Sequence, residues 1–119
     1  MTTSLTLTAL LEKKCRHLES ALTAAEIASY LPLVDGWHLT DGKLVREFTF
    51  GNYYETLAFI NAIAYVIHAE DHHPELVITY NRCIARFDTH SVNGGKGGIS
   101  ENDFICAAKV DAIFQQSFS

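Results

Sequence analysis

The stretch 51–74 reads GNYYETLAFINAIAYVIHAEDHHP and organises the rest of the chain around it. Asn52, followed three residues later by Glu55, matches a capping pattern in which side chains satisfy the free amides at a helix start. The sequence therefore predicts a long helix from Tyr53 to about His72. Pro74 ends it, because a proline disfavours helical geometry at the residue before it.

A β-hairpin is predicted on each side of this helix. Before it, two β-rich runs flank Asp41-Gly42, the commonest two-residue hairpin turn, since both central residues need positive φ. After it, two further β-rich runs are joined by Asn81-Arg82. The four predicted strands are Trp37 to Thr40, Lys43 to Phe50, Leu76 to Tyr80 and Cys83 to His90.

Two more helices complete the predicted order. Thr23-Ala-Ala-Glu26 is a capping box that opens a helix to about Leu31, and Ser100 with Asp103 caps a last helix from Glu101 to about Gln115. The order α-ββ-α-ββ-α predicts an α+β fold, a four-stranded antiparallel sheet with helices packed on one face. We expect a single domain over residues 22–119, preceded by an N-terminal extension, residues 1–21, whose structure the sequence leaves undetermined.

Composition narrows the class of protein. The chain has 119 residues, 48% of them hydrophobic and 19% charged, which fits one globular domain. A net charge of −5 gives no electrostatic footprint for nucleic acid or an anionic membrane. The nearly apolar stretch Leu57 to Ile67 is too short to cross a bilayer, and Met1 to Leu11 lacks the basic start of a secretory signal. Three scattered cysteines favour a reducing compartment, so we expect a cytoplasmic protein.

Histidines are the candidate functional residues. On a helical projection Asn61, Tyr65, His68 and His72 fall within a stripe about 40° wide. Glu70-Asp71-His72-His73 then brings imidazoles and carboxylates to the negative end of the helix dipole, which favours positive charge. His90 ends the last strand on the face that also carries Arg86 and Asp88. The sheet edge and the helix end could therefore form a polar pocket with three imidazoles, although a solvent-exposed helix end would show the same residues.

Two chemistries fit such a pocket. His68 and His72 are spaced four residues apart, so with His90 they could bind a metal. Against a metal, no glutamate stands where a metalloprotease helix places its general base, and no cysteine accompanies the cluster. The other chemistry is metal-free proton transfer by histidines. Gly94 to Gly98 does not match a phosphate-binding loop, and Trp37 is expected in the core or the pocket wall.

The residues resemble the pterin-4a-carbinolamine dehydratases. The resemblance rests on Asp71-His72-His73-Pro74-Glu75, Tyr80-Asn81, Thr89-His90 and Ile99-Ser100-Glu101-x-Asp103, and it runs from about Leu22 to Ile113. It implies dehydration of 4a-hydroxytetrahydropterin to the quinonoid dihydropterin, which recycles the tetrahydrobiopterin-type cofactor of aromatic amino acid hydroxylases. It also implies a homodimer or homotetramer and no metal or organic cofactor.

The resemblance further implies roles for individual residues. The three family histidines fall on His72, His73 and His90. The segments that contact the pterin fall on Asp71-His72-His73 and Asp88-Thr89-His90-Ser91, and Trp37 packs near the pterin. His68 and Glu70 are expected to support the site from beside it.

The chain departs from the animal members at several positions. His68 replaces a glutamate, Leu76 an aromatic residue and Asn102 an arginine, and the glycine loop after His90 is about four residues longer. Animal members also serve as dimerisation cofactors of a homeodomain transcription factor. The alternative function is therefore a binding or regulatory protein with little or no dehydratase activity.

Overall fold

The central helix of the fold is α3, Tyr53–Glu70, in a computed structural model that describes residues 5–118. Its start is the predicted one, since the Asn52 side chain accepts a hydrogen bond from the Glu55 amide at 2.9 Å. The buried positions Thr56, Phe59, Ile63 and Val66 follow a helical spacing along one side. This side packs against the sheet and the last helix.

The end of α3 differs from the prediction. The helix stops at Glu70 because Asp71 adopts the left-handed conformation, with φ 51°, and its amide returns to the His68 carbonyl at 3.3 Å. A non-glycine residue with positive φ is uncommon, and no local pattern signalled it. His72 and His73 consequently belong to the turn after the helix rather than to its last turn.

The sheet has the predicted antiparallel form. Its strands are β1 (His38–Thr40), β2 (Lys43–Thr49), β3 (Glu75–Ile78) and β4 (Arg82–Phe87), in the spatial order β1-β2-β4-β3. β4 ends at Phe87, earlier than predicted, and beyond it Thr89 forms a single bridge with Gly98. That bridge ties the far side of the glycine loop to the end of β4.

The other helices are α1 (Leu7–Glu12), α2 (Ala24–Tyr30) and α4 (Glu101–Ser117), with single turns of 3₁₀ helix at Leu31–Leu33 and Asn93–Gly95. Both predicted capping boxes are present, Thr23 with Glu26 and Ser100 with Asp103. Helix α1 was not predicted, since its six residues carry no strong helical periodicity. Within residues 5–118 no helix has the length and apolarity needed to span a membrane.

The core lies between the sheet and helices α3 and α4. As the alternation of β4 predicts, Cys83, Ala85 and Phe87 are buried on one face of the strand. Phe48 of β2 contacts Phe59 of α3, with ring centroids 4.7 Å apart. Such close contacts among large apolar side chains are the main stabilising term of a domain this size.

Residues 13–22, here called the strap, run in an irregular path across the start of α4. The Leu22 amide bonds to the Ile99 carbonyl, and the Asn93 amide to the Glu19 carbonyl, each at 2.8 Å. All three cysteines are free, and Cys15 Sγ of the strap lies 3.5 Å from Cys106 Sγ. The predicted extension 1–21 thus packs onto the domain from Leu5 onward, while residues 1–4 and Ser119 lie outside the described residues.

Candidate functional site

His72 lies where the turn after α3, the end of β4 and the start of α4 meet. Its Nε2 is 2.6 Å from Oδ1 of Asp103, and only 12% of its side chain is exposed. Its ring lies parallel to that of Phe87, with the centroids 5.9 Å apart and the planes at 8°. Two neighbours from different elements therefore fix the position and the orientation of this imidazole.

Asp103 is the residue that joins the helix cap to the histidine. Its side chain is fully buried, and its Oδ2 accepts hydrogen bonds from the Ser100 amide and from Thr89 Oγ1, both at 2.9 Å. The Thr89 and Ser100 hydroxyls are themselves 2.7 Å apart. Because Oδ2 is occupied by two donors, Oδ1 is left to His72. A carboxylate at this place is further favoured by the positive end of the α4 dipole.

His73 and His90 lie at the solvent side of the same site. The exposed fractions of their side chains are 71% and 85%. Each ring is beside a carboxylate of its own segment: His73 Nε2 is 3.3 Å from Asp71 Oδ1, and His90 Nε2 is 3.2 Å from Asp88 Oδ1. Both imidazoles can therefore exchange protons directly with water.

These groups surround one cleft of about 180 Å³. Its walls are formed by Asp71, His72, His73, Asp88, Thr89, His90 and Ser91. All seven of these residues were singled out from the sequence. The turn after α3 and the segment after β4 thus bring together the two groups of residues that lie far apart in the chain.

Trp37 is not in the wall of this cleft. It is buried in the core, where its indole Nε1 donates to Asp111 Oδ1 at 2.8 Å. Its ring is 5.8 Å from that of Phe87, the same ring that lies against His72. Burial raises the pKa of Asp111 to about 6, although hydrogen bonds from Trp37 and Arg46 act in the opposite direction. Trp37 therefore supports the cleft from behind, through Phe87.

His68 and Glu70 do not line the cleft either. His68 is exposed on α3. Glu70 is buried, and it accepts hydrogen bonds from Lys109 Nζ and from the Cys15 amide, both at 2.7 Å. Burial would raise the pKa of Glu70, but these two donors outweigh it and lower the pKa. Glu70 thus connects α3 to α4 and to the strap.

A metal site of the kind considered from the sequence does not form. Within residues 5–118, no three or more His, Cys, Asp or Glu side chains are grouped so that they could hold a metal ion. His68 and His72 do not form a pair of ligands because α3 ends before His72. Once Asp71 leaves the helix, the two imidazoles no longer share a helical face.

A second cavity, of about 400 Å³, adjoins the cleft and was not anticipated from the sequence. The two cavities share Asp71, His72, Thr89 and Ser91. The remaining walls come from the strap (Cys15, Arg16 and His17) and from Glu70 and Asn102. No periodic pattern marks the strap, so only the fold could reveal that it borders the site.

The chain is similar to a known protein family and to curated proteins of bacteria. A family model described as "Pterin 4 alpha carbinolamine dehydratase" matches residues 20–113. A protein of Bdellovibrio bacteriovorus, named "Putative pterin-4-alpha-carbinolamine dehydratase", is 56% identical over 112 residues, which is 94% of this chain and 93% of the relative. A protein of Nitrosospira multiformis with the same name is 45% identical over 106 residues, covering 87% of this chain and 90% of the relative.

Two solved structures are also similar. One is described as a transcriptional coactivator/pterin dehydratase from Brucella melitensis; it has a TM-score of 0.71 and 33% identity, over 79% of this chain and 98% of that chain. The other is described as a pterin dehydratase-like protein and a RuBisCO assembly factor in the alpha-carboxysome. Its TM-score is 0.52 at 24% identity, over 65% of this chain and 84% of that chain, so it shares the fold alone.

Proposed function

The chain belongs to the pterin 4 alpha carbinolamine dehydratase family, and on that basis we propose that it converts 4a-hydroxytetrahydropterin into the quinonoid dihydropterin. The observation that carries the proposal is the single cleft walled by His72, His73 and His90. Loss of water from a carbinolamine needs an acid for the departing hydroxyl group and a base for the ring N–H proton. Imidazoles can serve as either near neutral pH, each contributing about 10²–10⁴-fold.

The three histidines differ in a way that suits these steps. His72 is held by Asp103 at Nε2, so in the neutral ring the proton stays on Nε2 and the lone pair lies on Nδ1. His73 and His90 are exposed, and each lies beside an aspartate of its own segment, at 3.3 Å from Asp71 and 3.2 Å from Asp88. We propose that the buried ring keeps a fixed geometry toward the substrate while the exposed rings exchange protons with water.

We propose that this activity needs no metal or organic cofactor, that it recycles the pterin cofactor of an aromatic amino acid hydroxylase and that it takes place in the cytoplasm. The free thiols of the three cysteines are in keeping with a reducing compartment.

We also propose a homodimer or homotetramer. β1 and β3 are the edge strands of the sheet, and an unpaired edge is a template for a strand of a second chain. Ile78 at the end of β3 and Tyr80 just beyond it are 43% and 64% exposed, which gives that edge apolar surface to cover.

The experiment is to follow the decay of 4a-hydroxytetrahydropterin by rapid ultraviolet absorbance, with the wild type, a His73→Ala variant and added chelator. A His38→Ala variant is the matched control, because His38 is an exposed histidine on β1, away from the cleft. Acceleration that survives chelator, is lost in His73→Ala and persists in His38→Ala supports the proposal. Decay at the buffer rate with folded protein would refute it, and would favour the binding or regulatory function that the Brucella structure's description as a coactivator suggests.

A further inference from the structure

The cavity between the strap and His72 has no part in the proton transfers proposed above. It is about 400 Å³, more than twice the volume of the histidine cleft, and it meets that cleft at His72. A pterin ring held in the cleft would therefore have open space beside it. Any substituent on the ring that points toward α4 would meet the side chains of the strap.

Arg16 is the cationic group in the wall of this cavity, and its backbone is held firmly. Its amide donates to Asn102 Oδ1 at 3.2 Å, and its carbonyl accepts from Asn102 Nδ2 at 2.6 Å. Asn102 is buried at the first turn of α4, so it is a rigid anchor. Because both of these bonds are made by the backbone of Arg16, they fix the position of the residue without using the donors of its guanidinium.

Lys13 and Arg16 bring two positive charges to the single carboxylate of Glu101, while Asp71, the exposed carboxylate in the cavity wall, lies 3.3 Å from His73 Nε2. Glu101 accepts hydrogen bonds from Lys13 Nζ at 2.8 Å and from Arg16 Nη1 at 2.9 Å, so one carboxylate faces two cations. Glu70, the nearby buried acid, is already neutralised by Lys109 at 2.7 Å. Among residues 5–118 the Nε and Nη2 groups of Arg16 have no hydrogen-bond partner, and the side chain is 55% exposed. A planar guanidinium with free donors is well suited to phosphate or carboxylate oxygens.

We propose that this cavity is a subsite for an anionic group on the substituent of the pterin substrate, and that Arg16 binds it. The inference rests on the proposed function, since it names the class of pterin that the histidine cleft takes. The shared ligand chemistry is a cluster of anionic oxygens. A phosphate monoester and a carboxylate both provide it, and the experiment separates these two sources.

The test measures dissociation constants by calorimetry at low ionic strength. The matched ligand pair is 7,8-dihydroneopterin and its monophosphate, and 7,8-dihydrofolate is the carboxylate arm. The reference without a polar substituent is 6-methyl-7,8-dihydropterin. A half-exposed charge-assisted contact predicts that an anionic ligand binds about tenfold more tightly than its neutral counterpart. The preference should shrink as salt is added. Tighter binding of the monophosphate identifies phosphate, and tighter binding of dihydrofolate alone identifies a carboxylate.

The variant Arg16→Gln should abolish this preference while leaving the affinity for 6-methyl-7,8-dihydropterin unchanged. Lys14→Gln is the matched control, since it removes the same charge from the strap at a side chain outside the cavity wall. Arg16→Lys, which keeps the charge, should retain part of the preference even if the glutamine variant folds poorly.

Equal binding of all four ligands by the wild type, or equal losses in Arg16→Gln and Lys14→Gln, would overturn the subsite alone. Failure to bind any of the pterins would overturn the proposed function as well.

Discussion

Replacing Asp103 with asparagine tests whether one carboxylate decides which ring nitrogen of His72 carries the proton. The native side chain accepts from Ser100 N and Thr89 Oγ1 at Oδ2, and pairs with His72 Nε2 through Oδ1. An amide has a single acceptor oxygen. If that oxygen keeps the two donors, its NH₂ group faces His72 Nε2. The imidazole must then carry its proton on Nδ1, which removes the Nδ1 lone pair that the proposed mechanism assigns to His72.

The expected effects of Asp103→Asn follow from these contacts. Loss of the charge-assisted bond to His72 should lower the free energy of unfolding by about 1.5–3 kcal/mol. Loss of the correct tautomer should lower kcat/KM by about 10²-fold, the contribution of one general acid or base. Thermal denaturation measures the first effect and absorbance kinetics the second. Long-range ¹H–¹⁵N correlation spectra report which nitrogen of His72 carries the proton.

The control variant must lower the stability of the domain without changing any residue of the cleft. Asn52→Ala does so, because it removes the cap bond to the Glu55 amide, 2.9 Å long, at the opposite end of α3. That loss should cost about 1 kcal/mol and leave kcat/KM unchanged. If Asp103→Asn is folded and as active as Asn52→Ala, or if its spectra still show the proton on Nε2, then Asp103 does not set the tautomer of His72.

Three further outcomes are expected. Burial tends to raise the pKa of Glu101, but hydrogen bonds from Lys13 and two other donors outweigh it and lower the pKa to about 2. The ionised carboxylate therefore contributes its full stabilisation of the fold above the ordinary pKa of 4.5, and this contribution is lost as pH falls toward 2. Glu101→Gln should therefore flatten the pH dependence of the melting temperature in that window. A Cβ on Gly98 would lie 2.8 Å from Ala21 Cβ, which is too close. Gly98→Ala should therefore lower the free energy of unfolding, measured in urea, by about 1–3 kcal/mol. Adding Ala21→Gly should restore most of that loss. Phe87→Leu removes the ring that lies parallel to His72. In steady-state kinetics the fall in kcat/KM should exceed the rise in KM, so that kcat itself falls.

The fold could be predicted because each element carries local signals of its own. The turn at Asp41-Gly42 fixed the first hairpin, and both hairpins were found as expected. The capping boxes at Thr23 and Ser100 located two helix starts to the residue. The ends of the elements were harder to predict from the sequence, because a strand or helix ends where its packing partners in the fold end. Asp71 shows this: aspartate tolerates the left-handed conformation better than most residues do, but no neighbouring residue in the sequence marked it as the end of the helix.

The candidate site was predictable only as far as its residues have distinctive chemistry. The imidazoles and the aspartates beside them stand out by their chemistry, whereas Ser91 was expected only from the family resemblance, and the cleft contains both groups. Trp37 was ambiguous, because an aromatic residue fits a core and a pocket wall equally well, and the core holds it. The strap was invisible for a different reason. It is held beside the site by backbone groups, such as the Arg16 amide and carbonyl bonded to Asn102, and these leave no pattern in the sequence.

Asp103 links the stability of the fold to the chemistry of the site. As the third helical residue of α4 it closes a capping box with Ser100, which by itself accounts for an acidic residue at that position. The same carboxylate also holds Thr89 of the cleft wall and the buried ring of His72. Local opening at the start of α4 would therefore release the histidine at the same moment as the cap. Because the strap is anchored on the neighbouring Asn102, that opening would also release Arg16. Conditions that loosen this one helix end should therefore weaken the proposed dehydratase activity before the domain unfolds.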